Sequence, residues 1–110
     1  MEKVTLFELE RSDIYILIEV YFNEKGQLRM EGLDCGETVK AHWGDYDYEY
    51  EYTIEPDEVD KLYALLGVDP GDKEGLLAAI KQQFSFNEAY SKFGEFLTMN
   101  NIQYSAFSWV

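Results

Sequence analysis

The sequence predicts an α+β fold, with a mostly antiparallel sheet of four to five strands and three helices in the chain order β-β-β-β-α-α-α-β. Alternating apolar and polar residues fill the first half of the chain, helical periodicity follows in residues 56–100, and an aromatic segment comes last. Because the strands precede the helices instead of alternating with them, a layered α+β arrangement is favoured over a parallel α/β one.

Composition limits the number of domains and the classes of partner. The 110 residues are predicted to form one domain, 1–110, that is 46% hydrophobic and 16% aromatic, which favours folding over disorder. The formal net charge is −13, from 22 acidic and 9 basic residues. We expect neither nucleic acid nor an anionic membrane as a partner, because phosphate binding needs a basic surface.

The chain has no recognisable targeting segment and a single cysteine. Its N-terminal residues lack the layout of a signal peptide, and no apolar run approaches the ~20 residues of a membrane span. Cys35 has no second cysteine with which to form an internal disulfide or a thiolate metal site. The sequence therefore predicts a cytoplasmic protein without a cofactor or a metal, and Cys35 is not expected to be a nucleophile.

Three strands are predicted before residue 34, at residues 4–9, 14–22 and 28–33. Residues 23–27 supply a five-residue hairpin loop in which Gly26 can adopt a positive φ. The alternation breaks at Gly32, and residues 34–36 are predicted to form a turn or a bulge. The second strand is expected to be central, with one apolar face made of Ile14, Ile16, Ile18, Val20 and Phe22.

Residues 45–52 alternate acid and tyrosine without interruption, and they begin the predicted fourth strand, residues 45–54. A helix would spread the two residue types around its circumference, whereas a strand places them on opposite faces. Neighbouring carboxylates would then lie about 6.5–7 Å apart. We expect the tyrosines to pack inward and the acids to face outward. The tyrosines are Tyr46, Tyr48, Tyr50 and Tyr52, and the acids, here called the acidic stripe, are Asp45, Asp47, Glu49 and Glu51.

The rest of the chain is predicted as helices and a closing strand. Residues 37–43 are expected to form a short helix or an irregular crossing that brings Trp43 to the acidic stripe. A first long helix starts at Pro56 and ends at Gly67, and a second buries apolar residues between 76 and 84. Residues 85–88 match a capping box for the third helix. The closing strand is predicted at residues 104–109.

Residues 28–110 resemble a family of short, acidic bacterial proteins that are uncharacterised. The resemblance rests on Glu31-Gly32-x-Asp34-x-Gly36 followed by the acidic-aromatic strand with Glu49-Tyr50-Glu51, and on Leu65-Leu66-Gly67, Asn101-Ile102 and Phe107-Ser108-Trp109. It implies a bacterial origin and a shared fold, and it transfers no activity. The chain departs from the family pattern at Leu33-Asp34-Cys35, so Cys35 is interpreted as incidental.

The favoured functional hypothesis is a small binding protein that presents the acidic stripe to a basic protein. An immunity protein that inhibits a cationic nuclease toxin is an example, because a row of carboxylates can imitate a phosphate backbone. Complementary charge speeds association and selects the partner. The predicted partner-binding residues are Asp45, Asp47, Glu49, Glu51 and Trp43.

Two alternatives stay open. In the first, the stripe is a solvated face of an interaction or structural domain, and its charges discourage edge-to-edge pairing of the sheet. In the second, Asp34, His42, Asp45 and Asp47 form a carboxylate-dependent enzyme site or a metal site. Their spacing matches no metal motif, so a non-enzymatic role is favoured. The oligomeric state is not predicted.

Overall fold

The computed structural model describes residues 2–37 and 47–109 and confirms the predicted α+β fold and its chain order. The strands form one antiparallel sheet in the order β1-β2-β3-β4-β5, so each strand pairs with its neighbours in the chain. The strands are β1 Val4–Glu10, β2 Tyr15–Phe22, β3 Leu28–Cys35, β4 Asp47–Ile54 and β5 Ser105–Trp109; the helices are α1 Pro56–Leu65, α2 Lys73–Gln83 and α3 Ala89–Met99.

The sheet has an inner face, which the helices cover, and an outer face. Buried and half-buried residues alternate along β2, so one side of this strand lies in the core and the other does not. Helix α2 packs on β1 and β2, and apolar residues of all three helices join the same core. The largest fully buried side chains include Phe93, Ile18, Leu28, Leu62 and Leu76.

Strand β1 contains a bulge. The pairing register with β2 shifts between Thr5 and Phe7, which leaves Leu6 as an extra residue. Leu6 is buried and Phe7 packs against the core. The bulge thus lets two consecutive apolar side chains contribute to one core.

The prediction that β3 ends near residue 33 and that residues 34–36 form a turn or a bulge is wrong for residues 34 and 35. The strand continues to Cys35, and its pairing with β2 and β4 shows no register shift. Gly32 lies opposite Tyr50, and a Cβ added to Gly32 would overlap the Tyr50 ring. The glycine therefore makes room for an aromatic ring inside a regular sheet. The chain turns only at Gly36, whose φ is +121°.

The predicted capping box at residues 85–88 is also wrong. The Ser85 hydroxyl donates to the Lys81 carbonyl of α2 and does not cap the next helix. Helix α3 begins at Ala89, and Glu88, which precedes it, makes no side-chain cap bond. The positive φ predicted for Gly26 in the hairpin loop and the helix end predicted at Gly67 are confirmed, since these glycines have φ of +76° and +69°.

Gly32→Ala is expected to lower the free energy of unfolding by about 1–3 kcal/mol, because the new methyl group displaces the Tyr50 ring from a packed site. Urea unfolding measures the loss. In a Tyr50→Ala background the same substitution should cost much less, since the overlapping ring is gone. An equal cost in both backgrounds would show that the ring is not the reason for the glycine.

Candidate functional site

The structure places the described members of the acidic stripe on the outer face. Asp47, Glu49 and Glu51 point away from the helices, whereas Tyr48, Tyr50 and Tyr52 share the inner face. This is the orientation that the alternation predicts. Asp45, Tyr46, His42 and Trp43 lie outside the described residues.

Packing of the tyrosines against α3 fixes this orientation of β4. The rings of Tyr52 and Tyr90 are stacked, with 3.9 Å between centroids and 1° between planes. Tyr50 meets Tyr90 edge-on at 4.5 Å. The Tyr52 hydroxyl approaches Gly94 so closely that a Cβ there would overlap it. Rotating β4 would break these contacts, so the acids are held on the outer face.

The acidic surface also extends across the sheet. The strand registers place Glu19, Glu31 and Glu51 directly opposite one another on β2, β3 and β4. We call these three residues the acidic row. Directly opposed residues have Cβ atoms about 4.5–5.5 Å apart, and like charges at this spacing are destabilising. The outer face is therefore more negative than β4 alone indicates.

Two basic residues partly neutralise the acidic row. Arg29 forms an ion pair with Glu51, and its Nη2 lies 3.6 Å from Glu31 Oε2. Lys3 Nζ lies 3.3 Å from Glu31 Oε1, and the Tyr21 hydroxyl donates to Glu31 at 2.8 Å. Arg29 is thus a neighbour of the stripe, as its position in β3 indicates.

The position of Glu31 opposite Glu19 was not predicted from the sequence. The signal was present, because a five-residue hairpin that pairs Phe22 with Leu28 also sets Glu19 opposite Glu31. The position of Glu51 depends on the register between β3 and β4. No turn motif in the sequence predicts that register. Leu17 and Trp109 were likewise not recognised as neighbours of the acids.

A depression of about 220 Å³ lies on the outer face. Leu17 and Leu33, which pair across β2 and β3, provide apolar surface in it. At one side, Trp109 Nε1 donates to Glu49 Oε2 at 2.6 Å. The depression is also lined by Glu19, Glu31, Glu49 and Glu51. A depression that combines apolar surface with carboxylates suits the alkyl stem and cationic head of lysine or arginine.

Asp34 lies on the inner face, away from the acidic row. It is half-buried, and its Oδ1 accepts a hydrogen bond of 2.7 Å from the Tyr50 hydroxyl. Burial raises the pKa of Asp34 above its ordinary value of 3.8, although the Tyr50 hydrogen bond opposes the shift. Burial and the Asp34 carboxylate together raise the pKa of Tyr50, which keeps this phenol neutral.

The structure does not bring Asp34 and Asp47 together. Asp34 pairs with Tyr48 and faces inward, whereas Asp47 pairs with Cys35 and is exposed on the outer face. Of the predicted enzyme or metal site, His42 and Asp45 lie outside the described residues. In residues 2–37 and 47–109, no group of His, Cys, Asp and Glu side chains is arranged to hold a metal ion.

Comparison of the chain with protein-family models, curated proteins and solved structures gives no match. The function is therefore inferred from the geometry of the molecule. In the described part of the chain, no helix has both the length and the apolar character needed to cross a bilayer.

Arg29→Met is expected to lower the free energy of unfolding by about 1–2 kcal/mol. This loss lies between the losses typical of breaking an exposed ion pair and a buried one. The side chains of Arg29 and Glu51 are 23% and 19% exposed, and the substitution leaves the acidic row with less compensation. Urea unfolding at low and high salt measures the effect. The loss should shrink at high salt, because salt screens repulsion among the glutamates.

Lys92→Met is the matched control, since Lys92 forms an exposed ion pair with Glu95 on α3. It should change the free energy of unfolding by less than about 0.5 kcal/mol. A loss in Arg29→Met that equals this control would show that repulsion within the acidic row is negligible.

Asp34→Asn is expected to raise stability at neutral pH. A carboxyl whose pKa is raised in the folded state favours folding when protonated, and this contribution is lost as the pH rises through the folded-state pKa. Asparagine avoids the buried charge and can still accept the Tyr50 hydrogen bond. Thermal unfolding from pH 3 to pH 7 should show the two proteins converging in acid. A variant less stable than the original chain at pH 7 would contradict this assignment.

Proposed function

We propose that this protein is a small acidic binding protein whose outer sheet face receives a basic protein partner. An immunity protein that inhibits a cationic toxin is the type of function that such a face supports. The observation that carries the proposal is the meeting of the acidic row and the acidic stripe around one apolar depression.

Electrostatics supports a cationic partner. The depression is lined by four glutamates, whereas Arg29 pairs with two of them and Lys3 with one. The net charge of the whole chain, these glutamates included, is −13. Such a field attracts a basic protein and raises its association rate, and it repels nucleic acid and anionic lipid.

The aromatic residues beside the acids support a protein partner in particular. Phe107 and Trp109 of β5 are 63% and 40% exposed, and their rings lie 5.3 Å apart. Both pair with acids of β4, Phe107 with Glu51 and Trp109 with Glu49. Aromatic side chains commonly anchor protein interfaces, and charged residues around them select the partner.

A purely solvating role accounts less well for this arrangement. Solubility needs charge on the surface, but it does not need like charges directly opposite one another on three adjacent strands, where they cost stability.

Cys35 is a free thiol, which is compatible with a reducing compartment such as the cytoplasm for this function.

The test compares the original chain with Glu19→Lys/Asp47→Lys as immobilised baits in a lysate of the source organism. Neither acid forms a hydrogen bond or an ion pair among the described residues, so the double substitution breaks no such contact. We expect the original chain to retain a basic protein that the variant loses. With the purified partner, the association rate should fall by about tenfold or more in the variant, and the two rates should converge at high salt.

Asp60→Lys/Glu74→Lys is the matched control. It makes the same change in net charge at exposed positions on α1 and α2. This control should still bind the partner, with an association rate reduced only by the change in total charge. Retention of the partner by the outer-face variant, or equal losses in both variants, would overturn the assignment of the outer face.

A further inference from the structure

A second cavity, here called the inner cavity, lies on the opposite side of the sheet between β4 and α3. Its volume is about 500 Å³, which falls within the range of small-molecule sites. It lies beside the hydrogen bond between Asp34 and Tyr50. Polar and aromatic side chains line it, among them Asp34, Tyr48, Tyr50, Asn87, Tyr90 and Ser91.

The lining of the inner cavity favours a positively charged organic ligand. Among the described residues that line it, Asp34 is the one charged side chain, and none is basic. Tyrosine rings carry negative electrostatic potential on their faces and attract cations such as ammonium groups. A carboxylate combined with several tyrosine rings can therefore neutralise a cation and also contact its alkyl groups.

The hydrogen bond to Tyr50 does not by itself explain a carboxylate at position 34. Tyr50 needs only an acceptor, which an asparagine would supply without placing a charge in a half-buried position. Asp34 Oδ1 accepts this bond, and no hydrogen bond to Oδ2 occurs among the described residues. A partly buried carboxylate with one oxygen left for a ligand is a reasonable counter-ion for a cation.

The tyrosines of the inner cavity are held in place before any ligand binds. Tyr50 packs against Gly32 and lies edge-on to Tyr90, and Tyr90 stacks on Tyr52. Tyr48 contacts Tyr50 with 5.4 Å between ring centroids. Because these rings are already ordered, binding costs less conformational entropy than it would in a flexible site.

We propose that the inner cavity binds a small organic ammonium compound, with Asp34 as the counter-ion and the rings of Tyr48, Tyr50 and Tyr90 around the alkyl groups. The inner cavity and the outer-face depression lie on opposite sides of the sheet; Tyr50 lines both, whereas Asp34, Tyr90 and Ser91 line the inner cavity and not the depression.

The test titrates the isotope-labelled protein with choline and, in parallel, with 3,3-dimethyl-1-butanol, which has the same shape without the charge. Nuclear magnetic resonance reports the affected amides. We expect choline to shift the amide signals of Tyr90 and Ser91, which line the inner cavity and not the outer-face depression, and the neutral compound to bind about tenfold more weakly or worse. Choline binding should weaken at acid pH as Asp34 becomes protonated.

Two variants test the assignment of the ligand-binding groups. Asp34→Asn keeps an acceptor for Tyr50 and should weaken choline binding about tenfold, whereas Asp69→Asn removes an exposed charge in the turn after α1 and should not. Ser91→Gln lengthens an exposed α3 side chain that lines the cavity, and it should block choline without disturbing the core.

Three results would overturn the proposal: equal affinity for choline and its neutral analogue, unchanged choline binding in Asp34→Asn, or shifted signals centred on Glu49 and Trp109 of the outer face. The outer-face variant Glu19→Lys/Asp47→Lys should bind choline like the original chain. Loss of the basic partner and loss of choline binding can therefore be observed independently, and the failure of one proposal leaves the other standing.

Discussion

The stacking of β4 on α3 is the contact on which the two surfaces of this protein depend. Tyr52 lies flat against Tyr90, and Tyr50 meets the same ring edge-on. These contacts fix which side of β4 meets the helices. Since alternate residues of a strand face opposite sides, they also determine that Asp47, Glu49 and Glu51 lie on the open face. One packing interaction thus shapes the inner cavity and directs the acids outward.

The elements with a strong period were predictable from the sequence. In β2, Ile16, Ile18, Val20 and Phe22 are buried as the alternation predicts. Helix α1 ends just before Gly67, which has the expected positive φ. The closing strand lies after the three helices, as predicted. In each case one local signal, either periodicity or a glycine, agreed with the tertiary packing. Agreement between these levels is the reason that fold class and element order followed from the sequence.

The wrong predictions have a common physical origin. Gly32 interrupts the alternation of side chains and the strand was predicted to end just after it, but its missing side chain accommodates Tyr50 from the neighbouring strand and β3 continues to Cys35. Ser85 looked like a helix cap, but its hydroxyl bonds back to Lys81 in the helix before it. The role of each residue depends on a contact that the spacing of residues in the sequence does not reveal. The acidic row belongs to the same category, because the opposition of Glu31 and Glu51 depends on the register between β3 and β4.

The two candidate sites meet the same energetic criterion, although they lie on opposite faces. On the outer face, Glu19, Glu31 and Glu51 oppose one another across three strands, where glutamine in one of these positions would reduce the repulsion. On the inner face, Asp34 is half-buried, where asparagine would satisfy Tyr50 without the charge. Polar groups that reduce stability and could be replaced by neutral analogues of similar shape concentrate at functional sites. In both places the unfavourable group is a carboxylate, and it lies next to aromatic side chains at a cavity. A bound cation would relieve the electrostatic cost in either site, which is the physical reason for expecting a cationic ligand at both.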